Sequence, residues 1–468
     1  MVTVLSLAVG IGANTSVFSL LQAVRWRSLP VREPGQLRVL NWMGSFPKEY
    51  SFVGEEFVFL RKGGQRFGEF SGPLYGALRQ PEGESVEVFA YSRTEPLTAV
   101  TSGGALTVAG LLVSGNFFAG YGAGPSIGRP IRPEDDRREA EPVAVITHRW
   151  WERHLGSDPQ VVGRAITLNG RSLTIIGVLP RGFAGPLAGD AADVYLPLAL
   201  QPAFRPDNPL ASPHHYWLQV MLRLQKGASE SAVRPALEVA FRRHQQELSE
   251  SGAEPPTLLL MDGRCGPWIA REALASPLAP LAWMVGLVLL VACANAGSLL
   301  LARNAVRQHE MAVRAALGAG RWRLIRQVLA DSVVLAVLAA GLGLIFAWWG
   351  QAALVWLLPG LQGEVHFDVR LDARVFLFTV GATAVTALLV GLLPGLMASR
   401  VTPAAGLRNP RILGTPRLRL GKLLVVGQMA MALVLVTGAG LMARTLTNLR
   451  RVDMGFDPDY LLFFRPDF

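Results

Sequence analysis

Five runs of hydrophobic residues punctuate the 468-residue chain, and their spacing is very uneven. They are Val2 to Val24, Ala279 to Ala302, Val328 to Trp348, Val375 to Met397 and Leu423 to Met442. Each approaches the ~20 residues that carry a helix across a ~30 Å hydrocarbon core. A surface helix of that length would show one apolar stripe, whereas these runs are apolar on every face apart from small or isolated polar residues. The pattern predicts five transmembrane helices, one at the N-terminal end and four after a long water-compatible segment. A cleaved signal peptide is the alternative for the first run. It has no basic lead-in and no small-x-small site after it, so it reads as a retained anchor.

The long segment between the first two runs has the periodicities of a folded domain. Ser85 to Tyr91 and Ala105 to Val113 read as strands, and Pro142 to Thr147 as a short strand before a helix over His148 to Leu155. Ala165 to Leu168 and Ser172 to Leu179 flank Asn169-Gly170, which supplies the two positive φ angles of a type I′ hairpin turn. Tyr216 to Leu224 reads as a strand, Lys226-Gly227 as a turn, and Ser229 to Ser251 as an amphipathic helix with Ser229 or Ala228 near its cap. The domain predicted is mixed α/β, a β-rich insert followed by a strand-helix unit.

Composition agrees with a membrane protein: half the residues are hydrophobic and only 17% are charged. The net charge of +10 would suit a nucleic-acid ligand, but its distribution argues against one. Arg303, Arg307, Arg314, Arg321, Arg323 and Arg326 stand between the second and third runs against a single acid, Glu310. Arg400, Arg408, Arg411, Arg417, Arg419 and Lys422 stand between the fourth and fifth with none. An excess of Lys and Arg in short loops marks the cytoplasmic side. The turn carrying Glu364, His366, Asp368 and Asp372 then lies outside, as does the segment from Arg25 to about Pro277. Arg25 and Arg27, just outside the first run, conflict with this rule. Either the later helices dictate orientation, or a basic lead-in precedes Met1. The cysteines, Cys265 in the outer segment and Cys293 in a membrane run, are not placed to pair.

Chemical motifs are sparse. His148 and His154 are six apart and off one helical face, and His214-His215 has no further ligand at metal spacing. Glu134-Asp135-Asp136 lacks the alternating oxygen spacing of a calcium loop and reads as a solvated turn. Trp150-Trp151 reads as packing. There is no Gly-x-Ser-x-Gly nucleophile motif and no Gly-x-x-x-x-Gly-Lys-Ser/Thr phosphate loop within the 468 residues. No catalytic, metal or cofactor site is expected, so energy from ATP has to enter through a partner.

The basic segment Leu301 to Gly318 is the most distinctive. Ala305, Met311, Ala312, Ala315 and Ala316 are its apolar positions, and Arg307, Glu310 and Arg314 pair at i,i+3 and i,i+4 spacings before Gly318-Ala-Gly320 stops it. It reads either as an interfacial helix on anionic lipid or as a docking helix for a cytoplasmic partner. Val291-Ala-Cys-Ala-Asn-Ala-Gly-Ser-Leu-Leu-Leu-Ala-Arg303, Glu310-Met-Ala-Val-Arg-Ala-Ala-Leu-Gly-Ala-Gly320 and Ile325-Arg-Gln-Val-Leu-Ala-Asp331 closely resemble the FtsX-like permease domain of MacB-type ABC transporters. Gly10-Ile-Gly-Ala-Asn14, Arg27-Ser-Leu-Pro30 and Val113-Ser-Gly-Asn-Phe-Phe118 resemble the same family, and Val161-Val-Gly-Arg164, Leu168-Asn-Gly170, Ile176-Gly-Val-Leu-Pro180 and Asp193-Val-Tyr-Leu-Pro197 resemble its periplasmic core.

That resemblance implies an α-helical polytopic membrane protein of the bacterial inner membrane. A four-helix permease unit carries a large mixed α/β extracytoplasmic domain inserted after the first helix. The boundaries expected are helix 1 over 1–24, the outer domain over 25–277 with a β-rich insert about 113–197, and the permease domain over 278–400. The ATPase-coupling segment is 303–326, with Arg307, Glu310, Arg314, Gly318 and Arg321 expected to contact the ATPase. A basic linker over 401–422, a fifth helix over 423–443 and an outward segment over 444–468 would open a second permease repeat. The chain is thus expected to be a fragment, open at its C-terminal end and, if a basic lead-in precedes Met1, at the other. The partners implied are a cytoplasmic ABC ATPase, a second permease unit in a homodimer or pseudo-dimer, membrane lipid and a periplasmic protein.

Few ionisable residues lie deep in the runs, which fits the absence of an ion pathway. Asn14 and Asn295 are the embedded polar groups, and Gly391 and Gly395, spaced for close approach near Pro394, mark a packing or flexing point. Three functions compete: an export or extrusion permease, a regulatory permease that controls an outer partner such as a cell-wall hydrolase, and an anchored binding domain without ATP coupling. The large outer domain and the coupling segment favour the first over the third.

Overall fold

The computed structural model describes residues 1–26, 28–44, 51–52, 57–59, 65–80, 85–101, 104–183, 185–186, 192–205, 210–248, 256–267, 278–306, 321–357, 373–398 and 415–450. It divides into two compact units. One holds Met1–Ser19, Leu278–Leu354 and Leu371–Phe468, and the other Leu20–Pro277 with Val355–Arg370.

The first unit is built on the five hydrophobic runs, each of which forms a helix: Val2–Arg25, Leu278–Val306, Arg321–Leu357, Ala373–Ala398 and Thr415–Arg450. All five are long and apolar enough to cross a membrane. The third, of 37 residues, would extend about 55 Å and therefore outreaches the hydrocarbon core. Trp283, near the start of the second span, and Trp348 and Trp349, near the end of the third, are more than 60% exposed. Because consecutive spans run in opposite directions, these rings share one membrane face, where amphipathic indoles concentrate at the headgroups.

The first span is the most enclosed. Its central window is 56% buried, against 17%, 22% and 28% for the next three. Leu7, Ala8 and Ile11 pack with Ala292, Cys293, Ala296 and Leu300 of the second span, Ala339 of the third and Val390 of the fourth. The fifth span has nothing buried over Val425–Thr445.

The second unit is organised by one 15-stranded mixed sheet. Leu37–Gly44 pairs antiparallel with Leu218–Leu224 on one side and Thr257–Asp262 on the other. Leu218–Leu224 continues to Val86–Arg93, which pairs with Gly110–Val113. The ladder then turns parallel, Gly110–Val113 beside Val194–Pro197, and Val143–Ile146 beside Arg171–Val178. It ends in the hairpins Ala165–Leu168 with Arg171–Val178, and Leu97–Thr101 with Gly104–Val108. Helices Gly72–Arg79 and Glu230–Leu248 supply Leu74, Leu78, Leu237 and Phe241 to the larger core, beside Trp42, Tyr216 and Trp217.

The predicted hairpin forms as read: Asn169 and Gly170 have φ of 45° and 76°. The helix near His148 runs His148–His154, capped by Thr147, and the amphipathic helix runs Glu230–Leu248 with Ser229 Oγ accepting from Ala232 N. Two readings need correction. Ala105 to Val113 is two strands, because Gly104–Val108 and Gly110–Val113 serve different ladders. Between them Ala109 is held by Asp193, its carbonyl accepting from Asp193 N and its N–H donating to Oδ2. Glu134 is exposed in a turn as read, but Asp135 and Asp136 are drawn into the fold. Asp135 pairs with Arg129 at 2.6 Å, and Asp136 accepts from Gly115 N and Ala199 N, tying three loops together.

Candidate functional site

The outer unit shows what the motif residues do. Ser114 Oγ accepts from Ala90 N and donates to Asn116 Oδ1, while Asn116 Nδ2 donates to Val88 O. Phe117 and Phe118 then enter an aromatic cluster with Phe89, Tyr91, Tyr121 and Tyr195. Burial pushes the Tyr121 and Tyr195 hydroxyls well above the ordinary tyrosine range. Asp193 is buried and pairs with Arg149 at 2.9 Å. Each motif therefore fixes a strand or a turn rather than presenting a reactive group.

Two cations, Arg223 buried and Arg205 half-buried, escaped sequence reasoning because their partners lie far away along the chain. Arg223 is 1% exposed and donates to the carbonyls of Gly120, Tyr121 and Arg32. Burial lowers its pKa, yet the carbonyls satisfy it in place of a carboxylate. Arg205 donates to Ser92 Oγ and Arg93 O and lies over the Trp217 ring at 5.6 Å. Burial pushes the Asp136 carboxyl up, whereas hydrogen bonds from Arg234 and Arg38 hold Glu230 below the usual range. Among the described residues no group of three or more His, Cys, Asp or Glu could hold a metal ion.

Three consecutive polar side chains of the first span bond to the other spans. Asn14 Nδ2 donates to Val285 O of the second span at 2.9 Å. Thr15 Oγ1 meets Thr379 Oγ1 of the fourth at 3.3 Å, and Ser16 Oγ donates to Ala347 O of the third at 3.1 Å. Phe18 stacks on Phe378 with centroids 3.9 Å apart. One turn before Ser16, the backbones of the first and third spans touch: a Cβ on Gly12 would lie 2.6 Å from Gly343 O. Gly391 faces Ser332 of the third span, where a Cβ would come within 2.7 Å of the hydroxyl. Gly395 lies in the same helix. Asn295 is on the exposed side of the second span and has no hydrogen bond among the described residues.

Of the coupling segment, Arg307, Glu310, Arg314 and Gly318 lie outside the described residues, and Arg321 opens the third helix. The second helix ends at Val306. The profile of the MacB-like periplasmic core domain matches residues 1–240, more than half of the chain, and that of the FtsX-like permease C-terminal domain matches residues 282–403. The chain belongs to the MacB/FtsX-like permeases.

This permease is 24% identical over 267 residues to the uncharacterized ABC transporter permease YknZ of Bacillus subtilis, covering 57% of the chain and 61% of YknZ. It is 24% identical over 411 residues to the macrolide export ATP-binding/permease protein MacB 2 of Aeromonas hydrophila, covering 86% of the chain and 57% of that protein. The chain thus spans about 60% of the length of these relatives. The crystal structure of the YknZ extracellular domain aligns with 48% of the permease and 99% of that domain, at 13% identity and a TM-score of 0.32. The permease is a multi-pass protein of the inner membrane with a large extracytoplasmic domain.

Proposed function

We propose that the chain is the permease subunit of an ABC-type transporter that passes ATP-driven motion from a separate cytoplasmic ATPase to its outer domain. The work done there is export or extrusion of a small molecule, peptide or lipoprotein. The observation that carries the reading is the insertion of a large folded domain between the first and second spans of an FtsX-like bundle. The inserted domain enters and leaves the bundle through those two helices, and Val355–Arg370 between the third and fourth spans groups with it, so helix displacement is the means by which cytoplasmic work reaches outside. The MacB 2 relative is named for both ATP binding and export, and the YknZ relative as an ABC permease, which supports the pairing with an ATPase. Regulation of an outer partner without transport is the second reading, and the same inserted domain favours it.

Coupling is assigned to Arg307, Glu310, Arg314, Gly318 and Arg321 between the second and third spans. Membranes carrying the full chain should yield a P-loop ATPase on co-purification. Glu310→Lys combined with Arg314→Glu should reduce that recovery and the ATPase stimulation together while membrane insertion stays intact. Unchanged recovery and stimulation would refute the coupling assignment.

A further inference from the structure

We infer that Asn14, Thr15 and Ser16 form a three-way coupling node that ties the first span to the second, fourth and third spans, with Ser16 as its releasable member. The inference rests on the proposed function and adds to it the residues through which the spans move together.

Successive helical residues point about 100° apart, so three in a row face three directions. In a helix at the edge of a bundle at least one of them would face lipid. Here Thr15 and Ser16 are 0% and 2% exposed, and each of the three meets a different helix at one level. The outer unit is continuous in the chain with the first and second helices, and Val355–Arg370, between the third and fourth, is grouped with it. Displacement of the third or fourth span reaches the first span through packing. Ser16 with Ala347, and Thr15 with Thr379, are hydrogen bonds by which the first span meets such displacement.

Proton counting separates the three. Asn14 has two amide hydrogens and two acceptors, Gly10 O and Val285 O, so both bonds form together. Thr379 donates its hydrogen to Val375 O, which makes Thr15 the donor between the two threonines. Ser16 has one hydrogen and two carbonyls in reach, Gly12 O at 2.9 Å in its own helix and Ala347 O at 3.1 Å in the third span. It can let go of Ala347 and fall back on Gly12 without leaving a buried polar group unsatisfied, which neither neighbour shows. Ala347 O loses nothing essential, since a helical carbonyl retains its own ladder bond. Gly12 beside Gly343 and Gly350 beside Ser16 bring the two backbones into close approach, with Phe346 and Ile11 beside the contact. A polar latch at so close an approach permits two registers of the third span against the first.

The test uses the full chain with its co-purified ATPase in lipid nanodiscs, with Cys293→Ala so that Cys265 in the outer unit is the reporter thiol. Maleimide labelling of Cys265 is timed without nucleotide and with Mg-ATP plus vanadate. Thr15→Val and Ser16→Ala are made singly and together. Ser332→Ala, which removes another buried hydroxyl from the third span, is the control. The expected result is a nucleotide-dependent rate in the parent, and an about 2- to 30-fold smaller nucleotide effect in Ser16→Ala, with ATPase recovery and melting temperature unchanged. Ser332→Ala should behave as the parent. Absence of any nucleotide effect in the parent would overturn the proposed function, and this inference with it. A parent effect retained in Ser16→Ala and the double variant, or lost equally in Ser332→Ala, would overturn the node alone. A Ser16→Ala chain that no longer melts like the parent would also overturn it, since the fallback to Gly12 makes the Ala347 bond dispensable for folding.

Discussion

Arg223 illustrates a buried charge held chiefly by carbonyls, with Glu87 and Glu33 near enough to favour it. Its guanidinium reaches carbonyls from two separate segments, near Arg32 and at Gly120–Tyr121, and joins them to the strand Leu218–Leu224. Arg223→Met keeps the stem but leaves those carbonyls unsatisfied, and should cost about 3 kcal/mol or more. Thermal unfolding of the full chain followed by tryptophan fluorescence measures it. Arg129 holds the Asp135 carboxyl below its usual range, helped by the Arg132 N–H and opposed by burial. A depressed folded pKa means this stabilisation is present above the unfolded value near 4 and is lost as pH falls through the folded one. Arg129 is 41% exposed, so the contribution after screening is about 1 kcal/mol. Asp135→Asn should flatten the acid limb of a stability-against-pH curve and leave the neutral plateau lower. Asn14 and Asn295 look alike along the chain, yet one is half-buried and bonded to the second span and the other faces outward. Which side of an apolar helix is enclosed depends on its neighbours, and periodicity says nothing when every side is apolar.

At the scale of elements, what could be read ahead of the fold was local. Hydropathy is summed within one helix, so all five spans were visible. The turn at Asn169-Gly170 was visible because φ preference belongs to single residues. Gly170→Val should cost about 1–2 kcal/mol in the same unfolding assay, because the turn demands a left-handed residue there. The sheet order was hidden because its ladders join distant segments, and the strands Leu37–Gly44 and Thr257–Asp262 declare themselves only as a pair. The split at Ala109 was hidden for the same reason: one apolar run feeds two ladders. Between the first and third spans the decisive feature is close backbone approach. Gly12→Val should cost about 1–3 kcal/mol by overpacking and separate the two helices, seen as a lower melting temperature of the detergent-solubilised chain.

For the whole molecule, the topology predicts that Cys265 reacts with a membrane-impermeant maleimide added to cells whose outer membrane has been opened, and that Cys293, buried among the spans, does not. Labelling of Cys265 only after lysis of the inner membrane would reverse the assigned orientation. The pairing of Leu37–Gly44 carries one more consequence. Its first hydrogen-bonded neighbours in the large sheet besides the short strand Gln65–Phe67 are Leu218–Leu224 and Thr257–Asp262. A ribosome adding ~5–20 residues per second needs roughly 10–40 s to supply them. During that interval an apolar strand bearing Leu37, Val39, Leu40 and Trp42 has only its Trp42–Gly44 end paired, with Gln65–Phe67. Biogenesis of this protein therefore has a waiting period written into its topology, and extracytoplasmic chaperones are the natural occupants of that strand until its partners emerge.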